Sequence, residues 1–317
     1  MKKFLLPALL IGVLASCNKK IEFPDYGYQT VYFAYQYPVR TITFGEDIFD
    51  TQLDNQKKCK IMATTGGVYY SKKDVTIGIS VDNALLGNGL KFGPTGAEIK
   101  AMPANYYSLA SNQIVIPEGS LTGGVEVQLT DAFFNDPLSI KNTYVLPVRM
   151  SSKGNVDSIL AGKDFILYAV KYVNPWHGNY LRRGKDVISG SVAQTNIRHK
   201  PFVEDDEVNK LSTRSMKEVE FPLVYKAPNG TNINCTLLLT FDDAGNCSVS
   251  SVTNGFTASG NGKFVKRGEK NSWGSKDRDA IYLNYEINLT DMKVTSTDTL
   301  VLRDRGVTME TFTPVAK

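Results

Sequence analysis

Residues 235–249 read CTLLLTFDDAGNCSV, in which two runs of strand-forming residues flank a cluster of turn residues. Asp243, Ala244 and Gly245 form the centre of this cluster, and the spacing predicts a β-hairpin. Such a turn places Cys247 opposite Phe241 on the neighbouring strand. Cys235 then lies on the order of 20 Å along the strand from Cys247, which is beyond the reach of a disulfide.

The rest of the chain repeats the pattern of this hairpin. Tyr, Val, Thr and Phe dominate the periodic segments, and Gly, Pro, Asn and Asp separate them at short intervals. Val125, Val127 and Leu129 alternate with polar residues, as on a strand with one buried face. The sequence therefore predicts an all-β protein, with Cys59, Cys235 and Cys247 as small thiols in its core.

A boundary near Val173 divides the chain into two domains. Short strands with frequent turns in residues 29–172 favour a β-sandwich, and longer neighbouring strands in residues 173–317 favour an antiparallel barrel or a strongly curled sheet. Each part is about 150 residues long, enough to bury its own core. Residues 202–218 are charged and poor in apolar side chains, so we expect a solvated loop there.

The N-terminus has the features of an export signal. Lys2 and Lys3 precede a short apolar run, and Leu14, Ala15 and Ser16 lead directly to Cys17. The stretch resembles a bacterial lipobox, so we expect residues 1–16 to be a signal peptide, Cys17 to be lipidated and residues 17–28 to be a tether. Multiple acyl chains on Cys17 would anchor the protein to a membrane.

Several longer segments resemble one known family. They are similar to two-domain surface lipoproteins of gut Bacteroidetes, in which an immunoglobulin-like domain of unknown function precedes a lipocalin-like barrel. The resemblance implies an accessory of glycan-uptake loci in the outer membrane, and it implies no catalytic residues. Surface-exported lipoproteins of these bacteria usually place acidic residues just after the cysteine, whereas Cys17 is followed by NKKIEF, in which two lysines precede the first acidic residue. The sequence therefore leaves both the cell surface and the periplasmic face as possible locations. The segments are YYSLASNQIVIPEGSLTGGVEVQLTD, NTYVLPVRM, VKYVNPWHGNYLRRG, FDDAGNCSV and TLVLRDRG.

Composition argues against several kinds of chemistry. The formal net charge of +4 falls by two when Lys2 and Lys3 leave with the signal peptide, so no concentrated basic face for nucleic acid is expected. His177 and His199 are the only histidines, and no HExxH motif occurs, so we expect no metal site and no cofactor. His177 fits a packed or hydrogen-bonded residue at the domain boundary.

Two tryptophans are the candidates for sugar binding, because flat aromatic rings pack on the apolar faces of sugars while polar groups bind the hydroxyls. Trp273 lies in GEKNSWGSKDRD, residues 268–279, which is longer than a hairpin loop needs and mostly hydrophilic. Its neighbours Asn271, Asp277 and Arg278 complete a candidate site. Trp176 is the second candidate, although the resemblance implies that it fills the joint beside Tyr180, the floor plug of a lipocalin-like barrel.

The sequence therefore favours a non-catalytic cell-surface lipoprotein that binds glycan or another extracellular ligand in polysaccharide uptake or adhesion. A structural subunit of an outer-membrane importer complex, packed against the importer or a partner lipoprotein without a ligand of its own, is the alternative. A β-rich glycosidase is a third hypothesis, since paired carboxylates could face one another across a cleft.

Overall fold

The computed structural model describes residues 21–191 and 193–317, and the predicted signal peptide and lipidation site at Cys17 lie outside them. Most of the regular secondary structure in the described chain is β-strand, and the helices are single short turns, which confirms the predicted all-β class. The first domain contains β1 (Thr30–Tyr32), β2 (Pro38–Thr43), β3 (Lys58–Gly66), β4 (Val75–Val81), β5 (Leu90–Lys91), β6 (Lys100–Ala101), β7 (Tyr107–Leu109), β8 (Gln113–Ile116), β9 (Thr122–Leu129), β10 (Tyr144–Ser152), β11 (Ser158–Ile159) and β12 (Phe165–Val173).

Two sheets of the first domain pack face to face as a sandwich. One sheet has the strand order β11-β1-β3-β9-β7, and the other contains β2-β12-β10-β4-β8 with β6 added beside β10. The inner faces of the two sheets meet in one core that includes Ile42, Ile61, Ile77, Val127 and Leu146. Strands such as β3 and β9 alternate between buried and more exposed residues, whereas β10 and β12 are buried on both faces along most of their length. Helix α1 (Gln52–Asn55), helix α2 (Asp131–Phe134) and short 3₁₀ turns at Asn83–Leu86, Ala104–Tyr106 and Pro137–Ile140 connect the strands.

The second domain is a closed antiparallel barrel. Its strands are β13 (Gly178–Gly190), β14 (Gln194–Arg198), β15 (Glu207–Ser215), β16 (Glu218–Lys226), β17 (Asn232–Phe241), β18 (Asn246–Ser251), β19 (Thr257–Ser272), β20 (Lys276–Asn288) and β21 (Met292–Asp304). Pairing runs from β13 to β15 and onward in chain order, and β21 returns to pair with β13. This closure shows that the second domain is a barrel and not the strongly curled sheet that the sequence also allowed.

The hairpin at residues 235–249 has the predicted register. Cys247 pairs with Phe241, and β17 and β18 are joined by a turn in which the Asp242 carboxylate accepts bonds from the backbone of Ala244 and Asn246. Cys59, Cys235 and Cys247 are free and buried, as expected. Burial raises the pKa of Cys59 and Cys247 to about 12, so both remain protonated core thiols.

The prediction of a loop at residues 202–218 is wrong for most of its length. A 3₁₀ turn at Val203–Asp205 leads into β15, which pairs with β13 through residues 207–211 and with β16 through residues 212–215. The strand escapes a pattern-based prediction because backbone pairing holds it in the barrel, while only Leu211 of its side chains is fully buried. Most charged side chains of this segment are exposed to solvent, which accounts for its polar sequence.

The last residues of the chain return to the first domain. Strand β22 (Glu310–Thr311) pairs with β2, and β23 (Val315–Ala316) pairs with β5. Between them the buried ring of Phe312 packs against Tyr37 and Phe92, with ring centroids 5.7 and 4.8 Å away. Residues 307–317, which the sequence groups with the barrel, thus pack on the first domain, where β22 extends one sheet of the sandwich and β23 forms a separate two-stranded sheet with β5.

Candidate functional site

The hairpin of β19 and β20 carries four of the five predicted site residues at its tip, which are Asn271, Trp273, Asp277 and Arg278. Its strands extend further than the sequence suggested, so the expected loop at residues 268–279 shrinks to a 3₁₀ turn at Trp273–Ser275. Register shifts at Val265–Glu269 and at Glu269–Ser272 leave backbone groups without ladder partners. Nearby carboxylates accept from these groups, which is how a mostly polar segment keeps a defined shape.

Asp277 is one of the carboxylates that fix the hairpin tip. It accepts from the backbone N–H of Asn271 at 3.0 Å and from Lys270 Nζ at 2.9 Å. These bonds, led by the one from Asn271, hold the pKa of Asp277 below its usual range. Asp279 accepts from the backbone N–H of Arg267 at 2.7 Å in the same way. Two of the predicted site residues, Asn271 and Asp277, are therefore joined through the fold of the tip itself.

Trp273 and Arg278 form a stacked pair. The guanidinium carbon of Arg278 lies 3.6 Å from the centroid of the Trp273 ring, and Arg278 Nε donates to the Trp273 carbonyl at 3.2 Å. Trp273 Nε1 in turn donates to the carbonyl of Leu302 on β21 at 3.2 Å. The indole is half-buried, so it neither projects freely into solvent nor closes the barrel.

A cleft of about 450 Å³ opens beside this pair, at the junction of the two domains. The hairpin contributes Asp277 and Arg278 to its wall, together with Arg267, Lys276 and Asp279. The end of β21 and the segment after it form the facing wall, and a loop of the first domain closes one side. These further lining residues are Glu46, Asp47, Ile48, Leu302, Arg303, Asp304, Arg305, Gly306, Val307 and Thr308.

Charges of both signs line the cleft. Glu46 accepts from Lys266 at 2.5 Å and lies 3.4 Å from Arg267, and the bond from Lys266 holds the pKa of Glu46 below its usual range. Lys276 and Arg303 are exposed at the rim, and Arg303 lies 3.7 Å from the neighbouring carboxylate of Asp304. The cleft therefore offers donors and acceptors side by side, with the exposed side chain of Ile48 as an apolar edge.

Arg305 fixes the geometry of the junction. Its buried guanidinium donates to four carbonyl oxygens. Two belong to Phe44 and Glu46 in the first domain, and two belong to Asn174 and His177 in the linker, residues 174–177, between β12 and β13. Burial is the main cause that lowers its pKa. Because one side chain binds both domains, the wall of the cleft from the first domain is held in place against the barrel.

Trp176 takes no part in this cleft. It is 9% exposed and lies inside the barrel, where its ring stacks on Phe241 at 4.2 Å with an angle of 8° between the planes. Tyr180 donates to the Trp176 carbonyl at 2.9 Å. The neighbouring His177 accepts the backbone N–H of Thr213 through Nδ1, as expected for a hydrogen-bonded boundary residue. Burial, followed by the charge of Arg305, lowers the pKa of His177 to about 4.

The interior of the barrel is occupied by its own side chains. Beyond the aromatic floor, Arg182 donates to Asp298 at 2.9 Å, and Tyr285 donates to the same carboxylate at 2.7 Å. Arg198 reaches Asp298 at 2.5 Å and pairs also with Asp186. These groups are largely buried and bond to one another, so side chains fill this part of the barrel interior.

The sequence alone did not indicate the wall of the cleft that the first domain contributes. Glu46, Asp47 and Ile48 lie more than two hundred residues from the hairpin tip, and no local pattern links them to Trp273. Residues 303–306 could have been singled out from the sequence, because their letters RDRG end the segment TLVLRDRG that carried the family resemblance. In the described ranges, 21–191 and 193–317, His, Cys, Asp and Glu form no group suited to a metal ion. No helix of these ranges has the length and apolar character to cross a membrane.

Comparisons with known proteins follow the same division into two domains. The model of an N-terminal domain family matches residues 26–157, and the model of the domain of unknown function DUF5627 matches residues 175–306. No curated protein matches the chain. A solved structure of a Bacteroides ovatus protein of unknown function is 46% identical, with a TM-score of 0.87, and the match covers 92% of this chain and 99% of that chain.

More distant solved structures share less of the fold. An auxiliary nutrient binding protein from Bacteroides thetaiotaomicron is 15% identical with a TM-score of 0.39, over 83% of this chain and 90% of that chain. A proposed carbohydrate binding protein from Bacteroides ovatus is also 15% identical, with a TM-score of 0.29, over 90% of this chain and 99% of that chain. Both names describe those proteins alone.

The fold and the matches define a class of two-domain all-β proteins, with a sandwich followed by a closed barrel. The chain belongs to the family of Bacteroides proteins in which this N-terminal domain precedes DUF5627.

Proposed function

We propose that the protein is a non-catalytic lipoprotein of the outer membrane that binds a glycan in the junction cleft, in support of polysaccharide uptake or adhesion. The observation that carries the proposal is the cleft itself, where charged groups of both signs stand beside the stacked Trp273–Arg278 pair. Cys17 supplies the lipid anchor. The protein faces the cell surface, with the periplasmic face as the alternative orientation.

The chemistry of the cleft suits a sugar. Each hydroxyl of a sugar both donates and accepts, so it pairs well where a guanidinium or an ammonium group lies beside a carboxylate. Arg278, Lys276 and Arg303 supply donors, and Asp277 and Asp304 supply acceptors. The exposed Ile48 offers apolar surface for the C–H face of a ring. Trp273 lies just outside the lining and positions the guanidinium of Arg278, which does line the cleft.

Two carboxylates of the cleft, those of Glu46 and Asp277, are unsuited to the acid role of a glycosidase. A glycosidase needs one carboxylic acid that stays protonated near neutral pH, and its pKa must therefore be raised. The pKa of Glu46 and that of Asp277 are both held below the usual range by their donors. Product analysis after incubation with a bound glycan tests this point, since released sugars would replace the binding proposal with the glycosidase hypothesis.

A second function, as a structural subunit of an outer-membrane importer complex, is favoured by a free strand edge on the barrel. In the ranges that the structure describes, β16 pairs with β15 only through Glu218–Glu220, and the rest of β16 pairs only with β17. The exposed apolar side chain of Val224 lies on this stretch of β16, and unpaired edges of this kind accept strands from partners.

A glycan array on residues 18–317 separates the two functions, because a structural subunit should bind no glycan. For a glycan found this way, calorimetric titration of Lys276→Ala and Arg303→Ala tests the cleft, and each should bind roughly tenfold more weakly if one charge-assisted bond is lost. Lys263→Ala is the matched control, because Lys263 is an exposed lysine of the barrel wall outside the cleft. Equal loss in all three variants would contradict the assigned site.

A further inference from the structure

Exposed aromatic side chains gather at one end of the first domain. Phe23, Tyr26 and Tyr28 come from the segment before β1, and Tyr69 and Tyr70 come from the connection between β3 and β4. Each of the five is more than half exposed. We refer to these five residues as the tip patch.

The tip patch is a fixed surface whose two segments are bonded to each other. Tyr69 donates through its hydroxyl to the Phe23 carbonyl at 3.0 Å, and the Tyr69 N–H donates to the Asp25 carboxylate at 2.9 Å. Gly67 has a φ of 84°, and a Cβ added there would lie 2.2 Å from the Tyr28 carbonyl. Only glycine permits this approach, so the backbone of the two segments is closely packed.

The tip patch lies at the end of the first domain remote from the barrel. Strand β3 runs from Lys58 to Gly66, a span of roughly 27 Å at the rise of a β-strand. Its start lies near the junction, since Lys57 Nζ is 5.6 Å from the ring of Phe134, whose carbonyl accepts from Tyr172 just before the linker. Its end adjoins Gly67 and the tip patch.

We propose that the tip patch rests in the interface of the lipid bilayer and holds the molecule upright, with the barrel and the junction cleft away from the membrane. This inference rests on the lipid anchor of the proposed function. From Cys17 to Ile21, the first described residue, the chain can reach at most about 14 Å. Tyrosine and other aromatic rings are the side chains that favour this interface.

Charge does not explain the contact. The exposed Lys72 and Lys73 at the tip are matched by the carboxylates of the exposed Glu22 and the half-buried Asp25. A surface of this balance gains little from anionic headgroups, so the aromatic rings carry the interaction and its dependence on salt should be weak.

The test places a fluorescent probe at the tip. Residues 18–317 with an N-terminal hexahistidine tag are bound to vesicles of phosphatidylethanolamine, phosphatidylglycerol and a nickel-chelating lipid, which replaces the acyl anchor. A Lys72→Cys variant is labelled selectively, since the native cysteines of the described chain are buried. Nitroxide lipids should quench this probe at least about twofold more than a probe at Lys141→Cys, which is exposed near the junction.

A triple variant separates contact from mere tethering. Phe23→Ser, Tyr26→Ser and Tyr70→Ser together should abolish the excess quenching at position 72 and leave the melting temperature unchanged, because all three side chains are mostly exposed. Equal quenching at positions 72 and 141, or quenching that survives in the triple variant, would overturn the proposal. Failure of the lipid anchor is detected separately, by membrane fractionation of a Cys17→Ser protein.

Discussion

Replacing Trp273 with alanine tests whether the hairpin tip serves binding or stability. The indole makes one hydrogen bond, to the Leu302 carbonyl, and one stacked contact, with Arg278. A hydrogen bond contributes about 1 kcal/mol net and a partly exposed cation–π pair about 0.5–1 kcal/mol, so Trp273→Ala should lower the free energy of unfolding by about 2 kcal/mol. A fully buried tryptophan would cost about 3–5 kcal/mol.

The effect on binding should be larger than the effect on folding. Because Trp273 positions the guanidinium of Arg278 in the wall of the cleft, its loss should misplace a central contact of the glycan, at a cost of about 2 kcal/mol, or roughly thirtyfold in Kd. Calorimetric titration with a glycan from the array measures the Kd, and thermal unfolding measures the stability of the same sample. Binding that stays within about twofold of the wild type would refute the assignment of Trp273.

Trp176 provides the matched control, because it and Trp273 are the only tryptophans of the chain. Trp176→Ala removes a ring that is 9% exposed and stacked on Phe241, so it should cost about 3–5 kcal/mol of stability and leave the Kd of the folded fraction unchanged. In Trp273→Phe the ligand-induced change in tryptophan fluorescence should disappear, since only the buried Trp176 remains. A change that persists in Trp273→Phe would place the ligand elsewhere.

Three further predictions concern the anchor, the junction and the tail. Cys17→Ser should leave an unprocessed or released protein, because Cys17 is the membrane attachment that the sequence offers. A serine variant that remained wholly in carbonate-washed membranes would contradict the lipobox. His177 has a pKa of about 4 in the folded state, below its unfolded value of 6.5. The stability linked to neutral His177 is therefore fully present above pH 6.5, and the free energy of unfolding should fall by on the order of 3 kcal/mol as the pH drops toward 4. His177→Asn should remove this part of the pH dependence of urea denaturation, whereas the exposed His199→Asn should not, and equal curves for wild type and His177→Asn would count against it. Deleting residues 307–317 removes the buried ring of Phe312 and should lower the stability of the first domain by about 3 kcal/mol or more in thermal unfolding. A separate fragment of residues 173–306 should still unfold cooperatively as an isolated barrel. An unchanged transition of the first domain would show that the tail contributes little.

The sequence alone determined the features that depend on neighbouring residues. Alternation in residues 125–129 and the turn at Asp243–Gly245 are local patterns, and both specify antiparallel strands because side chains alternate across a strand and few residue types fit a tight turn. The register of Cys247 opposite Phe241 follows from the turn, and so does the absence of a disulfide between Cys235 and Cys247. The tip of the β19–β20 hairpin could likewise be singled out, since an aromatic residue in a hydrophilic segment is conspicuous.

The tertiary structure decided what depends on distant contacts. Strand β15 is held by backbone pairing that needs no apolar pattern, so its charged sequence concealed it. Residues 307–317 join the first domain through pairs with β2 and β5, which lie more than two hundred residues earlier. The cleft exists because Arg305 bonds the loop of Phe44 and Glu46 to the linker, and no local rule of sequence relates those positions. Pairing between remote strands and bonding between domains are set by the packing of the whole chain, which is why these features appear only in the folded protein.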